Sequence, residues 1–342
     1  MTRAQEQTQL LEPAEVKPVT EDRDSVRRYY IKGFPDYFFV YPLLKQRALN
    51  FEVATTDRSS VLTFRPNNTF SLGLGLYVLE VNLELAFAIP LRERSIVRYG
   101  ESEARDLQLN VLAKRWGVDA FYQRYSGFYL EEKSQTVHGD NPFPQRPDIG
   151  TRNFGFTGHY LFNHQKVSFR SAYNFSERQL ESRGSFLLSG ALYTFRAAGD
   201  SSIIGERWLE RFGEQVDFSR LRYTTFSLAP GYTFNVTQNH FFLNATLMVG
   251  PAHHWVSYNL SGQDSERHDI AVNAFLATRF SIGYNGYRFF GGITFASQGS
   301  RMRFDDTTFA NNNSVFKVLV GYRFRESGFL TRRVWDILPF EL

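Results

Sequence analysis

The stretch from Ser71 to Leu91, SLGLGLYVLEVNLELAFAIPL, constrains the fold most strongly, because it is highly apolar yet carries two carboxylates. As a transmembrane helix it would place Glu80 and Glu84 near the bilayer centre, where each costs about 2.5–3.5 kcal/mol on insertion scales. With a period of two, its leucine, valine and phenylalanine side chains share one face, and the two glutamates share the other. The stretch therefore predicts two β-strands with a tight turn near Val78 to Glu80.

The same alternation recurs along the chain, with bulky apolar side chains on one face and small, polar or charged ones on the other. Short turn sequences such as Asn285-Gly286 and longer polar links separate these segments, as in a series of β-hairpins. We predict an all-β fold, a closed antiparallel β-barrel of transmembrane type with about 12 to 14 strands. The clearest further segments are 167–175, 226–234, 270–282 and 316–324.

Alternation alone does not separate a membrane barrel from a soluble one, but size and composition favour the membrane. A soluble barrel of a dozen strands would leave a lumen that side chains fill poorly. The 342 residues are 16% aromatic and lack cysteine. Their mean hydropathy is only −0.35, and no run of about 18 uncharged apolar residues suggests a spanning helix. We predict the outer membrane of a Gram-negative cell, with apolar side chains facing lipid and ionic ones facing the lumen.

The two ends of the chain differ from the barrel between them. We predict a flexible segment at residues 1–30, the barrel at 31–325 and a tail at 326–342. Thr2, Arg3 and Ala4 followed by Gln5 resemble the end of a signal-peptidase site, and an ordinary polar tail explains them equally well. VLVGYRF, Val318 to Phe324, is typical of the terminal strand that the barrel-assembly machinery recognises.

The charge balance argues against a nucleic-acid partner. The chain has 39 basic and 35 acidic residues and a net charge of +4. The two signs are interspersed, without a basic run or a nucleic-acid motif. The predicted partners are outer-membrane lipid or lipopolysaccharide and the assembly machinery, and the sequence leaves the oligomeric state open.

Residues 61–90, VLTFRPNNTFSLGLGLYVLEVNLELAFAIP, resemble an uncharacterised family of Bacteroidetes proteins described as a domain of unknown function. That family has an aromatic-Arg-Pro-Asn turn before a Leu-Gly-rich hairpin, and Phe64 stands here where tyrosine is expected. Residues 170–193 and 228–251 match as well, so the resemblance spans about Tyr30 to Phe324. It implies an envelope β-barrel without an assigned activity, and no functional residues can be carried over.

The polar face supplies the candidate site. If the strand registers hold, seven ionic side chains face the lumen, where they either select solutes by charge or pair with one another across a plugged interior. These lumen-lining candidates are Glu80, Glu84, Arg170, Arg279, Arg288, Lys317 and Arg323.

Catalytic and metal chemistry has weaker support in the sequence. His253 and His254 point to opposite faces of a strand, so they cannot readily share a metal. No spacing links His159 or His240 to a nucleophile. We therefore predict no enzyme, metal site or cofactor. The leading hypothesis is an outer-membrane barrel acting as a narrow pore or an envelope scaffold. The alternatives are a lipid- or lipopolysaccharide-directed enzyme and a soluble ligand-binding barrel.

Overall fold

Antiparallel strands dominate the computed structural model of the protein, which describes residues 23–78, 81–132, 141–212, 217–263, 265–305 and 307–325. The helices are α1 Arg23–Tyr30, α2 Glu93–Tyr99, α3 Arg170–Tyr173 and α4 Glu206–Phe212. The strands are β1 Ile31–Gly33, β2 Tyr37–Thr55, β3 Val61–Arg65, β4 Ser71–Val78, β5 Val81–Ala88, β6 Glu103–Leu112, β7 Trp116–Glu132, β8 Gln145–Leu161, β9 Glu177–Gln179, β10 Arg183–Ala198, β11 Phe218–Gln238, β12 Phe241–Leu260, β13 Glu266–Asn285, β14 Phe289–Phe304 and β15 Thr307–Arg325.

Ten of these strands close a ring, in the order β2, β3, β7, β8, β10, β11, β12, β13, β14 and β15. The last strand pairs with β2 from Tyr37↔Arg325 to Thr55↔Thr307, which completes the ring. With β4, β5 and β6 the sheet has 13 strands. The predicted closed antiparallel barrel is therefore confirmed. The strands β1 and β9 form a separate two-stranded ribbon.

The wall is interrupted between two of its described strands. On the same side of β2, the strand β3 pairs with residues 51–54 and β4 pairs with residues 39–45. The strand β5 pairs with β4, and β6 pairs with β7. Between them, β5 and β6 share no ladder pair among the described residues. We call this place the β5–β6 seam.

The two ends of the barrel differ in their connections. Residues 113–115, 239–240 and 286–288 make short turns at one end, here called the turn end, where β2 begins and β15 stops. The chain leaves β7 at Glu132 and β10 at Ala198 for the two longer links at the other end, called the loop end, where the short turn 56–60 also lies. None of the described helices is long and apolar enough to cross a membrane.

Side-chain polarity is inverted in the half of the barrel nearer the turn end. On β11, Phe226 and Leu228 are exposed outward, while Thr225, Ser227 and Thr233 are buried inside. Leu83 and Val320 are exposed as predicted. Exposed apolar side chains continue around the barrel at this height and form a band that we call the apolar belt.

Nearer the loop end, the polarity reverses along the same strands. Phe195 and Tyr223 point inward, are fully buried and stack with ring centroids 5.2 Å apart. Arg196 and Arg222, one residue along each strand, are exposed. The interior of the barrel is therefore polar at the level of the apolar belt and apolar between the belt and the loop end. The sequence predicted a polar interior along the whole barrel.

The strand predicted at 167–175 is wrong. Residues 162–182 instead enter the barrel at the turn end as a plug containing α3 and β9. Phe169 and Arg170 were assigned opposite faces, yet both are buried in the plug. Alternation misleads here because both sides of the segment contact protein. The inward path also explains why the connection 162–182 is long, although it lies at the end of the short turns.

The N-terminal part of the described chain holds the plug in place. Arg27 on α1 donates to Glu177 at 2.7 and 2.9 Å, and β1 pairs with β9. Residues 23–30, part of the predicted N-terminal segment, thus form a packed helix. The predicted tail at 326–342 and residues 1–22 lie outside the described residues.

Candidate functional site

A chamber of about 540 Å³ lies inside the barrel beside the β5–β6 seam. Strands β2, β5, β6, β7, β13 and β15 supply its ionic side chains. Four are cationic and three are anionic, which leaves one positive charge in surplus. They are Lys45, Arg47, Glu84, Asp106, Asp119, Arg279 and Lys317.

Glu84 is the centre of the first charged group. The Lys317 ammonium donates to Glu84 Oε1 at 2.5 Å, and Lys45 Nζ lies 3.5 Å from Oε2. The Tyr41 hydroxyl donates to Oε1 at 3.1 Å and to Asn82 Oδ1 at 2.6 Å. Two ammonium groups therefore share one carboxylate, and the longer contact makes Lys45 the less firmly engaged cation.

Gly75 on β4 makes room for Tyr41. A Cβ atom added at Gly75 would lie 2.0 Å from Cζ of the Tyr41 ring, far inside van der Waals contact. Glycine lets the ring lie flat against the backbone and reach Glu84 on the next strand but one. Gly75 of the Gly-Leu-Gly sequence thus has a packing role in the wall.

A second group lies on the other side of the chamber. Arg47 donates to Asp106 and to Gln108 on β6. The Asn313 amide donates to Gln123 Oε1 at 3.0 Å. Gln123 in turn donates weakly to Asp106 at 3.3 Å. These contacts cross the barrel between β2, β6, β7 and β15, so the chamber is bounded by paired polar groups.

The plug forms the floor of the chamber. Tyr173 lines it, and its hydroxyl donates to Asn244 Oδ1 at 2.5 Å. The Arg279 guanidinium lies 5.9 Å from the Tyr173 ring centroid and pairs with Asp119. Residues from two wall strands thus meet the plug at this level.

An aromatic layer closes the chamber toward the loop end. Phe51 stacks on Phe64 with centroids 4.4 Å apart and contacts Phe128 and Phe309 at 5.4 and 5.6 Å. All four rings are buried. The described residues therefore fill the barrel axis both above and below the chamber.

The β5–β6 seam forms the remaining side of the chamber. Leu85 on β5 and Leu107 on β6 lie at the chamber margin and are 65% and 72% exposed. Ile89, Pro90 and Leu91 continue this margin toward α2. Unpaired strand edges at membrane depth occur only where they line a polar cavity or contact protein. The chamber therefore faces the apolar belt through the seam.

The structure brings three predicted site residues together in the chamber: Glu84, Arg279 and Lys317. Arg323 is inside the barrel but below the chamber, fully buried, and donates to the plug carbonyl of Phe175 at 2.6 Å. Arg170 is on the plug rather than on the wall, and donates to Tyr77 at 2.6 Å.

Two of the predicted lumen residues lie elsewhere. Arg288 is exposed in the turn before β14 and lies over the rings of Tyr37 and Tyr322, so its lumen assignment is wrong. The reason is that the turn residues 286–288 interrupt the alternation carried from β13. Glu80 lies outside the described residues.

Sequence reasoning missed four ionic chamber residues, namely Lys45, Arg47, Asp106 and Asp119. Lys45 and Arg47 alternate with Leu44 and Gln46, which is a readable signal. Asp106 alternates with Leu107 and Leu109 on β6, which is a similar signal. On β7, bulky side chains occupy both faces, as Phe121 and Tyr122 show, so alternation does not single out Asp119.

The histidines do not assemble a metal or catalytic site in the described part of the chain. No group of three or more histidine, cysteine or acidic residues could hold a metal there. His253 stacks on Trp255 at 4.5 Å, while His254 is buried and bonds to Thr225. These two rings point to opposite faces, as predicted.

Comparisons with solved structures give distant likenesses to outer-membrane proteins. The outer membrane protease OmpT of Escherichia coli is 11% identical, with 86% of this chain and 98% of that chain covered and a TM-score of 0.38. The attachment invasion locus protein Ail of Yersinia pestis is 10% identical, with coverages of 86% and 99% and a TM-score of 0.23. The Pseudomonas putida toluene transporter TodX is 8% identical, with coverages of 85% and 90% and a TM-score of 0.24. TM-scores this low carry no functional argument.

A comparison with curated proteins gave no match. A family model does match, across most of the chain and over nearly the range that the sequence resemblance indicated. The Bacteroidetes origin stays a prediction. With residues 22–324 matched, the chain belongs to the family described as Domain of unknown function (DUF4421).

Proposed function

We propose that the protein is a β-barrel of the Gram-negative outer membrane that takes an anionic amphiphile from the bilayer and holds its head group in the chamber. The observation that carries the proposal is the β5–β6 seam. It lies within the apolar belt and adjoins a polar chamber with surplus positive charge.

The belt supports a membrane location. Leu83, Phe87 and Leu109 expose apolar side chains on both sides of the seam. A closed ring satisfies the backbone groups of the other strands, as a bilayer requires. The seam is the exception, and the polar chamber behind it offers water or a ligand to its unpaired edges.

The chamber charges support an anionic head group. Lys45 lies 3.5 Å from the carboxylate that it shares with Lys317. A ligand carboxylate can therefore pair with Lys45 while Lys317 remains with Glu84. The size also fits, since ligand pockets span about 300–1,000 Å³. An acyl chain attached to such a head would leave through the seam toward Leu85 and Leu107.

A pore along the axis has less support, because the plug and the aromatic layer occupy the barrel on both sides of the chamber. A scaffold role is compatible with the same geometry. We favour lateral uptake over a pore and over a scaffold, because only lateral uptake accounts for both the seam and the surplus positive charge of the chamber.

Binding can be tested with cis-parinaric acid, a fluorescent fatty acid, on protein in nanodiscs with empty nanodiscs as the blank. We expect saturable binding by the wild type and at least about tenfold weaker binding by Lys45→Met, since a charge-assisted contact is lost. Lys114→Met is the matched control, because Lys114 is exposed in the β6–β7 turn. Equal binding of the parinaric methyl ester, or by Lys45→Met, would contradict the proposed head-group site.

Lateral access can be tested separately because the chain has no cysteine. A bimane label on Ala86→Cys would lie at the seam side of the chamber, and one on Ala277→Cys at its far wall. We expect brominated lipid to quench the label at 86 more strongly than the one at 277. Equal quenching would refute lateral access even if parinaric acid binds.

A further inference from the structure

Five arginines on five adjacent strands stand directly opposite one another. The ladder registers give Arg105↔Arg124, Arg124↔Arg152, Arg152↔Arg196 and Arg196↔Arg222. All five are exposed on the outer surface of the barrel. We call this set the arginine row.

The row lies at the upper margin of the apolar belt. Four residues along each strand toward the turn end, the outward positions are all apolar, and four ladder pairs join these five positions in a continuous line across the wall. These positions are Leu109, Ala120, Phe156, Leu192 and Phe226. Two residues toward the loop end, the next row adds Arg220 and one acid, Glu103. A cationic line therefore borders an apolar surface on the same five strands.

The charge of the row is not balanced within the described protein. Like charges directly opposite on adjacent strands destabilise a sheet. None of the five arginines forms a salt bridge with an acid among the described residues. We therefore expect an anion from outside the chain to balance the positive charge of the arginine row.

The position of the row indicates where that anion comes from. In membrane barrels the short turns face the periplasm and the longer loops face outward. The row lies on the loop side of the belt, which is the level of the outer-leaflet head groups. Guanidinium groups bind phosphate in a bidentate manner and suit such a surface.

The geometry points to a binding surface for the phosphorylated glycolipid of the outer leaflet, lipopolysaccharide, with its phosphates on the arginine row and its acyl chains along the apolar positions below. This surface is on the outside of the wall and does not depend on a ligand in the chamber. The lipid supplies the charge that the five arginines lack and covers the apolar side chains beneath them.

Lipid A provides the test. We expect bis-phosphorylated lipid A, added to the detergent-solubilised barrel, to bind the wild type and to raise its unfolding temperature. The double variant R152Q/R196Q should bind at least about tenfold more weakly, because two charge-assisted contacts are lost. The matched control R301Q/R303Q removes two exposed outward arginines of β14, outside the row, and should bind as the wild type does.

Three outcomes would overturn the proposal: equal binding of dephosphorylated lipid A, wild-type affinity of R152Q/R196Q, or equal displacement by inorganic phosphate alone. The last outcome would mean that the row takes any anion. A shift in gel mobility on boiling verifies that each variant is folded. If the double variant does not fold, the single variant R124Q carries the same expectation with a smaller loss.

Discussion

At the scale of single residues, Glu177 shows how the plug is fixed. It lies on β9, outside the spanning strands, and accepts hydrogen bonds from Arg27 and from Ser168 at 2.5 Å. Burial raises the pKa of the Glu177 carboxyl, but Arg170 and Arg27 lower it more, so that its pKa falls below the ordinary 4.5. The folded plug therefore stabilises the ionised form of Glu177.

Acidification should loosen the plug. A carboxyl whose pKa is lower in the folded state contributes stability above its unfolded pKa and loses it as the pH falls through the folded value. We expect the amide protection of residues 168–179, corrected for intrinsic exchange, to fall below about pH 4.5. Hydrogen exchange followed by mass spectrometry measures this.

The variant Glu177→Gln tests the cause. It should be destabilised at neutral pH by about 3–5 kcal/mol, because two buried guanidinium groups lose their carboxylate, and it should lack the acid-dependent step. Glu181→Gln is the control, since Glu181 is exposed in the same connection. An unchanged acid profile in Glu177→Gln would assign the step to another group.

At the scale of elements, the seam is the unusual part of the wall. The outer edges of β5 and β6 carry amides that no described strand pairs. We expect these amides to exchange roughly 100-fold faster than those between β13 and β14, because opening requires no ladder bond to break. The two strands of the control lie in the same belt and are paired over eleven positions, Phe275↔Ser300 to Asn285↔Phe290.

Hydrogen exchange resolved to single amides in detergent measures the difference. Equally slow exchange at β5, β6 and the control strands would mean that the ladder closes across the seam in solution. The detergent covers both regions, so its shielding does not account for a difference between them.

Regular strands were predictable from the sequence, and the irregular elements were not. The strand β4 ends at Val78 and β5 begins at Val81, so the two predicted strands are present. Leucine alternates with glycine in the first and with polar residues in the second. The helix α4 interrupts the link between β10 and β11, with Trp208 and Phe212 buried. The plug was missed because Phe169 and Tyr173 alternate like a strand while contacting protein on every side.

The candidate site was predictable only in part, for the same reason. Glu84, Arg279 and Lys317 follow from alternation, since each lies on a regular strand. These three residues lie in one chamber because of the order of the strands in the sheet. That order is set by pairing between strands that are far apart in the sequence, which alternation within one strand does not reveal. Arg288 was misassigned because a turn resets the alternation, and periodicity within one strand cannot show this.

At the scale of the whole molecule, the barrel interior has two parts, one polar and one apolar. Thr225 and Ser227 line the interior within the belt, whereas Phe195 and Tyr223 fill it above. The ring continues through both levels without a break in β10 or β11. The upper part is therefore packed like a soluble barrel, and the lower part is packed for contact with lipid.

This arrangement predicts a folded barrel that does not conduct. We expect unboiled protein to migrate differently from boiled protein on a gel, and planar bilayers containing it to remain silent, because the aromatic layer and the plug both block the axis. Stepwise conductance by protein that passes the gel test would favour the narrow pore instead. The gel alone also tests closure of the ring through β15 and β2.

The ribbon of β1 and β9 has a mechanical consequence. It ties the chain just after α1 to the plug through three consecutive residue pairs, Ile31↔Gln179 to Gly33↔Glu177, and Arg27 reinforces the tie. Tension applied to the chain at α1 would therefore reach the plug before it strained the barrel wall. Residues 23–33 thus couple the plug mechanically to the chain that precedes the first wall strand.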